Sequence, residues 1–385
     1  MIPVNEPLIG AREEEYVLEC LRTGWISSSG RFIERFEEGW ATYCGQKFGI
    51  AVSNGTTALQ VAVGCLGLKP GDLVIIPTFT IISCALAVIY NGGIPVLADC
   101  DPRTWCLSPE GVKEAVERET KKGNGHRLKA IMPVHIYGHP VDMDPLEELA
   151  EAYSLAIIED AAEAHGTEYL SGRMGSSPAW KRCGGLGDLG VFSFYANKAI
   201  TTGEGGMVIT SNAIFAERAR NLRNLCFLPE QRFLHTEAGH NFRMTNLQAA
   251  IGVAQLERIE AILEKKKAIG KAYCEHLKDI PSLQLPVEEP WAKSIYWMFG
   301  IVLHEDTDMN ASQMAQRLRD KGIDTRPFFL GMHEQPVFQQ MGLFGNEHYP
   351  VAERLARRGL YLPSGLTLTE SQIDEVAEAV RDILS

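Results

Sequence analysis

"SFYANKAITTGEGGM" (residues 193–207) places a single lysine, Lys198, between an aromatic strand-like run and a cluster of glycines. The run leading in, "GVFSFY", and the run leading out, "GGMVIT", are almost continuously apolar, as strands covered on both faces of a sheet must be. Lys198 therefore belongs to a loop at the end of a buried strand. Removal from water there depresses an amine's pKa and favours the neutral nucleophile that imine formation requires. Gly203, Gly205 and Gly206 let backbone approach a ligand closely, which a surface lysine beside a plain hairpin would not need.

Working outward, residues 49–210 alternate short apolar runs with helical stretches, the pattern of an α/β layer. "DLVIIP", "IPVLADC", "KAIMPVH" and "LAIIED" join the two runs above as strands; "TTALQVAVGCLGL", "ISCALAVIYNG" and "DPLEELAEAYSL" read as helices. One long helix is expected from Thr245, its N-cap, through "NLQAAIGVAQLERIEAILEKKKAIGKAYCEHL", with "EKKKAIGK" as a solvated face. The remainder, from "SIYWMFGIVL" to "TESQIDEVAEAVRDIL", forms a smaller α+β region. The chain thus divides into a large domain, 1–255, and a small C-terminal domain, 256–385, as its length of 385 residues allows.

Lys+Arg 37 against Asp+Glu 49 gives a net charge of −12 with no basic stripe, which excludes a nucleic-acid binder. Any anionic ligand must be held by local devices such as helix N-termini. The nine cysteines include no C-x-x-C and sit mostly in apolar stretches, so they read as reduced, buried thiols. Met1 leads into "IPVNEPLIGAREEE" without a secretory pattern, and no apolar run is long enough to span a bilayer, so the expected location is the cytoplasm, without a membrane partner.

Gly185-Leu186-Gly187-Asp188-Leu189-Gly190 is a formal dinucleotide fingerprint in an inverted context: a loop precedes it and a strand follows, leaving no helix N-terminus for a pyrophosphate. His135 and His139 have helical metal-ligand spacing, but Gly138 and Pro140 argue against a helix, and no metal is assigned. "AVSNGTTALQVAV" ends a strand in Ser-Asn-Gly and opens a helix at Gly55-Thr56-Thr57, a phosphate cup or an ordinary cap. "LAIIEDAAEAHG" runs a strand into Glu159-Asp160, where an acid is either a hydrogen-bonded cap or the partner of a bound cation. Phosphate cup, strand-end acid and loop lysine together fit pyridoxal phosphate, whose ring nitrogen an aspartate keeps protonated.

At these residues the chain resembles the DegT/DnrJ/EryC1/StrS family of pyridoxal-phosphate-dependent sugar aminotransferases, from end to end. "TGWISSSGRFIERFE", "SNGTTAL", "MPVHIYG", "EDAAEAHG", "FSFYANKAITTGEGGM" and "NFRMTNLQAAIG" carry the likeness. It implies the fold-type I architecture: a large domain with a mixed, mostly parallel sheet between helices, plus the smaller α+β domain. It implies Lys198 as Schiff-base lysine and proton shuttle, Asp160 on the pyridine nitrogen, Glu163 near the ring hydroxyl, and Gly55, Thr56 and Ser193 on the phosphate. Asn241 would come from the neighbouring subunit of a homodimer with shared active sites, and Trp25, Ser27, Ser28, Arg243 and His333 would contact substrate. The implied reaction takes an amino group from glutamate to C4 of a GDP-linked 4-keto-6-deoxy hexose, for surface polysaccharide such as lipopolysaccharide O-antigen.

The chain departs from the family pattern in three places. Ile81 stands where relatives usually carry a ring-stacking aromatic, so an apolar β-branched side chain is expected to cover the cofactor. "GSSPAWKRCGGLGD" (175–188) is a longer loop, read as a solvated insertion or a contact to substrate or partner. Leu330 replaces a common histidine in "RPFFLGMH", leaving His333. These changes keep a UDP- or dTDP-linked sugar or a keto sugar acid open as acceptor. They also leave a non-catalytic sensor on the same fold as the competing class.

Overall fold

The computed structural model describes residues 1–173, 175, 177–228, 230–231, 233–235 and 237–385. Two helices, α1 (Ala11–Thr23) and α2 (Arg31–Tyr43), lead into the predicted alternation. It runs β1 (Phe48–Val52), α3 (Gly55–Cys65), β2 (Leu73–Pro77), α4 (Ser83–Tyr90), β3 (Ile94–Ala98), α5 (Pro109–Lys121), β4 (Leu128–Ile131), α6 (Met143–Tyr153) and β5 (Ala156–Asp160). There follow β6 (Glu168–Ser171), β7 (Ala179–Arg182), β8 (Leu189–Ser193) and β9 (Gly206–Thr210). Seven strands make one sheet in the order β1-β9-β8-β5-β4-β2-β3. Only β9 runs antiparallel to its neighbours, β1 and β8. This is the mixed, mostly parallel α/β sheet that the apolar runs predict, with β2, β8 and β9 buried at every position.

The 175–188 loop, apart from Ser176, which lies outside the described residues, is not a free insertion. Its Ala179–Arg182 segment is β7, paired antiparallel with β6 in a small sheet of order β11-β6-β7, where β11 is Ala292–Lys293. The Arg182 guanidinium lies 3.8 Å from the Tyr43 ring centroid and donates to the Tyr43 carbonyl at 2.7 Å, tying the hairpin to α2.

The glycines after β7 serve the end of β5. Glu159, fully buried, accepts the N–H groups of Gly184 (2.7 Å), Leu186 (2.5 Å) and Gly187 (2.5 Å), and pairs with His135 Nε2 at 3.0 Å. His135 Nδ1 accepts the Val141 N–H, so its proton sits on Nε2 and points at the carboxylate. The loop thus cradles an anion, but the anion is the protein's own side chain. His135, Glu159 and Cys183 bring ligand atoms within 4.8 Å of one another, yet the carboxylate and imidazole are already engaged in these bonds.

After α7 (Ala213–Arg223), the expected long helix is two, α8 (Asn246–Leu256) and α9 (Ile259–Leu277). Thr245 does cap α8, in a reciprocal box with Gln248. The break carries no Pro or Gly. It falls where Arg258, at φ −123°, turns its guanidinium to the Leu8 carbonyl and to Glu13. A second correction lies in "EKKKAIGK": Lys266, taken as part of a solvated face, is 1% exposed. The chain ends in β10 (Leu283–Gln284), β11, β12 (Phe299–Leu303), α10 (Ala311–Asp320), β13 (Arg326–Pro327), α11 (Pro336–Gln340), α12 (Pro350–Arg358), β14 (Gly359–Leu362) and α13 (Glu370–Leu384). An antiparallel sheet of order β10-β12-β14-β13 carries a second apolar core, which Ile2 also joins through bonds to Gly322 and Asp324.

Replacing Glu159 by Ala strands three N–H groups, that of Gly184 fully buried, and the buried His135 proton. The expected loss of stability in urea denaturation is about 3–5 kcal/mol, at roughly 1–3 kcal/mol for each buried donor left without an acceptor. A loss no larger than that of an exposed surface substitution would show that the loop does not depend on this carboxylate.

Candidate active site

β5 ends in two successive carboxylates, and the two-residue period of a strand turns them to opposite faces. Glu159 enters the glycine loop; Asp160 faces a cavity of about 650 Å³ beyond the carboxyl ends of the parallel strands. The start of α3 (Asn54, Gly55, Thr56), the entry to α4 (Thr80, Ile81, Ser83) and the segment after β5 (Ala162, Glu163) form part of its wall. The loop after β8 (Tyr195, Asn197, Lys198) and three distant aromatics, Trp297, Phe329 and Tyr361, form more of it.

At the α3 terminus Asn54 Oδ1 accepts the Thr57 N–H at 2.9 Å and the Asn54 carbonyl accepts that of Ala58 at 3.0 Å. The N–H groups of Gly55 and Thr56 are left without an acceptor among the described residues, at the positive end of a helix. Thr56 Oγ1 lies 2.8 Å from Ser83 Oγ, and Ser193, the last residue of β8, faces the same spot. A Cβ on Gly55 would stand 2.6 Å from that of Ser193, so only glycine lets the helix start approach the strand end. Gly206 has a similar reason: its Cβ would collide with the Asn54 carbonyl. That glycine brings backbone against backbone and closes the cup.

Asp160, 2% exposed, accepts the Ala162 N–H at 3.0 Å and the Cys84 S–H at 3.3 Å. Burial raises its pKa, and those donors and the Lys198 charge oppose the rise. Lys198 Nζ sits 3.8 Å from Glu163 Oε1 and 3.8 Å from the Trp297 ring centroid. Burial pulls the amine below its ordinary value, against Glu163 and Asp160, which favour its charged form. Burial likewise pushes Glu163, which accepts the Tyr137 N–H at 2.8 Å, up to about 7. Behind them, His165 packs against Trp40, Phe192 and Phe194, and burial, then the Lys198 charge, push it down to about 3.

An anion cup at a helix terminus, a buried carboxylate acceptor and an amine that readily loses its charge are the partners of a phosphate, a pyridine nitrogen and a reactive carbonyl carbon. That donor set fits pyridoxal phosphate. Of the predicted site residues, the cavity gathers Gly55, Thr56, Ile81, Asp160, Glu163, Ser193 and Lys198. Ile81 lies at its mouth, 43% exposed. Ser28 and Arg243 line a separate cavity of about 680 Å³ with Arg220 and Arg223, and Trp25 lines another of about 550 Å³ beside Asn246. Asn241 pairs with Asn224, and the Ser27 carbonyl accepts the Asn246 N–H at 2.6 Å. His333 is withdrawn from the expected substrate role. It is buried, its Nδ1 bonded to Thr78 Oγ1 at 2.9 Å and its Nε2 to Glu353 at 3.2 Å, and it does not line the cavity.

Sequence reasoning missed Asn54, Asn197, Trp297, Phe329 and Tyr361. Asn54 carried a signal, the preference of Asn for helix N-caps. The three aromatics arrive from far along the chain and carried none.

Fold and site together define an aminotransferase of the pyridoxal phosphate class. The comparisons agree and narrow it. Residues 7–381 match the DegT/DnrJ/EryC1/StrS aminotransferase family, and the chain belongs to that family. It is 40% identical to the GDP-perosamine synthase of Caulobacter vibrioides, over 100% of this chain and 98% of the relative. With the GDP-perosamine synthase of Escherichia coli O157:H7 it shares 36% identity, over 100% and 99%. The solved structure of S. venezuelae DesV superposes with a TM-score of 0.86 at 32% identity, covering 97% of this chain and 94% of that one.

Glu163 generates a pH test on the cofactor-free protein. Its carboxyl holds a proton to about 7 when folded, against 4.5 as the ordinary value, so the folded chain binds the extra proton across that window. Its contribution to stability therefore falls as pH rises from about 5 to 7, by roughly 2 kcal/mol. Denaturation of wild type and Glu163→Gln across this range should differ in slope by that amount, with wild type the steeper decline. Parallel curves would refute the assignment.

Proposed function

We propose that the protein transfers the amino group of glutamate to C4 of a GDP-linked 4-keto-6-deoxy hexose, as a homodimer with shared active sites. The observation that carries the reaction is the buried Lys198 amine, set beside Glu163 in a cavity floored by Asp160. The choice of acceptor is supported by the two GDP-perosamine synthases, similar over the whole length of this chain. A role in surface polysaccharide such as O-antigen follows from that choice. The free, mostly buried cysteines support a cytoplasmic setting, and among the described residues no helix is long and apolar enough to cross a membrane. The division at residues 255 and 256 into cofactor-binding and small domains is part of the same reading.

Pyridoxal phosphate, when bound, supplies the carbonyl carbon that carries the amino group and the ring that takes up electrons. The Gly55 and Thr56 N–H groups, with the Thr56 and Ser193 hydroxyls, hold its phosphate at the α3 terminus. Asp160 would hold a proton on the pyridine nitrogen, and the Cys84 S–H and Ala162 N–H keep that carboxylate oriented. Lys198 would be the residue that bonds the group's carbonyl carbon and the base placed to move the proton at the donor Cα. Glu163 beside it takes or returns a proton near neutral pH. Ile81, at the cavity mouth, would cover the ring.

Lys198→Ala should lose at least about 10³-fold in amine transfer, as removal of a nucleophile that is also the general base does. Incubation of ¹⁵N-glutamate with GDP-, UDP- and dTDP-linked 4-keto sugars and a keto sugar acid, read by product mass, tests the acceptor. A labelled amine on a sugar other than the GDP-linked one would replace that choice, and no transfer to any would sink the reading in favour of a sensor.

Asn241, Arg243, Trp25, Ser27 and Ser28 lie away from the cavity of their own chain, as residues lent to a partner's site would. Mixing inactive Lys198→Ala and Asn241→Ala subunits should then restore about a quarter of wild-type activity, from one intact site per mixed dimer. Absence of recovery would mean that each chain supplies its own site.

A further inference from the structure

The basic run on α9 hides one buried cation. Lys266 lies where the helix passes from the first apolar core, which takes Ile259, Ile262 and Leu263, to the second, which takes Ile269 and Tyr273. No carboxylate pairs with it among the described residues. Its Nζ donates to the Trp297 carbonyl at 2.6 Å and the Ser364 carbonyl at 2.5 Å. Burial pushes the amine down to about 7, and a neutral amine has two N–H groups for these two acceptors. An apolar side chain would fill this junction without the desolvation cost of a lysine, so a purely packing role does not account for it.

Both ends of the tie lead to the cavity. The Trp297 indole donates through Nε1 to the Asn197 carbonyl at 2.8 Å, and its ring lies against Lys198 Nζ. Ser364 Oγ accepts the Phe299 N–H and donates to the Leu362 carbonyl, beside Tyr361 in the opposite wall.

We infer that Lys266 is a positioning residue for the reaction: by tying the Trp297 and Ser364 carbonyls across the junction of the two cores, it holds the indole against Lys198 and keeps water from that amine. Trp297 is the wall through which it acts. The inference rests on the reading of Lys198 as the lysine that bonds the cofactor.

The test measures imine formation by the stripped apoprotein with added pyridoxal phosphate, followed by its absorbance and fixed with borohydride, as a function of pH. Loosening the indole rehydrates Lys198 and returns its amine toward the ordinary value. Lys266→Met should therefore move the pH midpoint upward and slow imine formation at pH 7 by about 3- to 10-fold, as a shift of half to one pKa unit requires. Lys266→Gln, shorter but still donating, should recover part of the rate. Trp297→Ala should give the same upward shift, and Lys266→Met added to it should change nothing more.

A folded Lys266→Met protein with the wild-type midpoint overturns the inference. So does a Lys266→Met effect that persists in full in the Trp297→Ala background. If neither Lys266 variant folds, an unshifted midpoint in Trp297→Ala alone still overturns it. Wild-type protein that forms no borohydride-fixed bond at Lys198 removes the underlying reading, and the inference with it, before any variant is compared.

Discussion

The Glu159 carboxylate is the interaction on which the site's geometry rests. It gathers the N–H groups of Gly184, Leu186 and Gly187 and the proton of His135 at the carboxyl end of β5. Those bonds hold the loop that returns the chain into β8, and β8 delivers Ser193 and then Lys198. They also fix the end of β5, so strand alternation leaves Asp160 no direction but the cavity. One buried anion thus orients the acid next to it and the amine that follows the neighbouring strand. The loop that satisfies it is the segment whose spacing imitates a dinucleotide fingerprint.

Burial is the common cause of the electrostatics inside the cavity. It heads the shifts of Lys198, Asp160, Glu163 and His165 alike, lowering the bases and raising the acids. Two carboxylates face one amine in this space, and the imbalance is resolved by where the protons rest. Asp160 receives an N–H and an S–H donor, which favour its charged form; Glu163 receives one N–H and sits beside Lys198. Glu163 is therefore the group poised to exchange a proton near neutrality, while Asp160 remains an acceptor. Two carboxylates of one short segment thus differ in their donors and in their distance from one amine.

The sheet was legible because β2, β5, β8 and β9 are apolar runs bounded by turns, and both faces of the sheet are covered. The cavity residues near Asp160 and Lys198 were legible because they lie at or next to strand ends and helix starts, where local chemistry is visible in a few letters. What escaped depends on tertiary contact. The break between α8 and α9 follows from Arg258 reaching Leu8 and Glu13, and periodicity holds no trace of such a bond. Lys266 reads as solvent-facing in a row of charges, and only the arrival of Trp297 and Ser364 buries it. His333, which the resemblance offers as a substrate contact, has both nitrogens taken up by Thr78 and Glu353.

The same distinction separates reaction from substrate in the chain. Amine, acid and phosphate cup all lie between Asn54 and Lys198, on the ends of elements of one sheet whose spacing is set by backbone hydrogen bonds. The walls that a sugar would meet, Trp297, Phe329 and Tyr361, come from far along the chain and pack back onto the first core, and the arginines around Arg243 lie outside the cavity altogether. Side chains on such separate supports can change without disturbing the strand-end geometry. Ile81 lines the same cavity beside the α3 terminus yet is open at its mouth. A side chain placed so bears on what enters the cavity as well as on what the cavity holds.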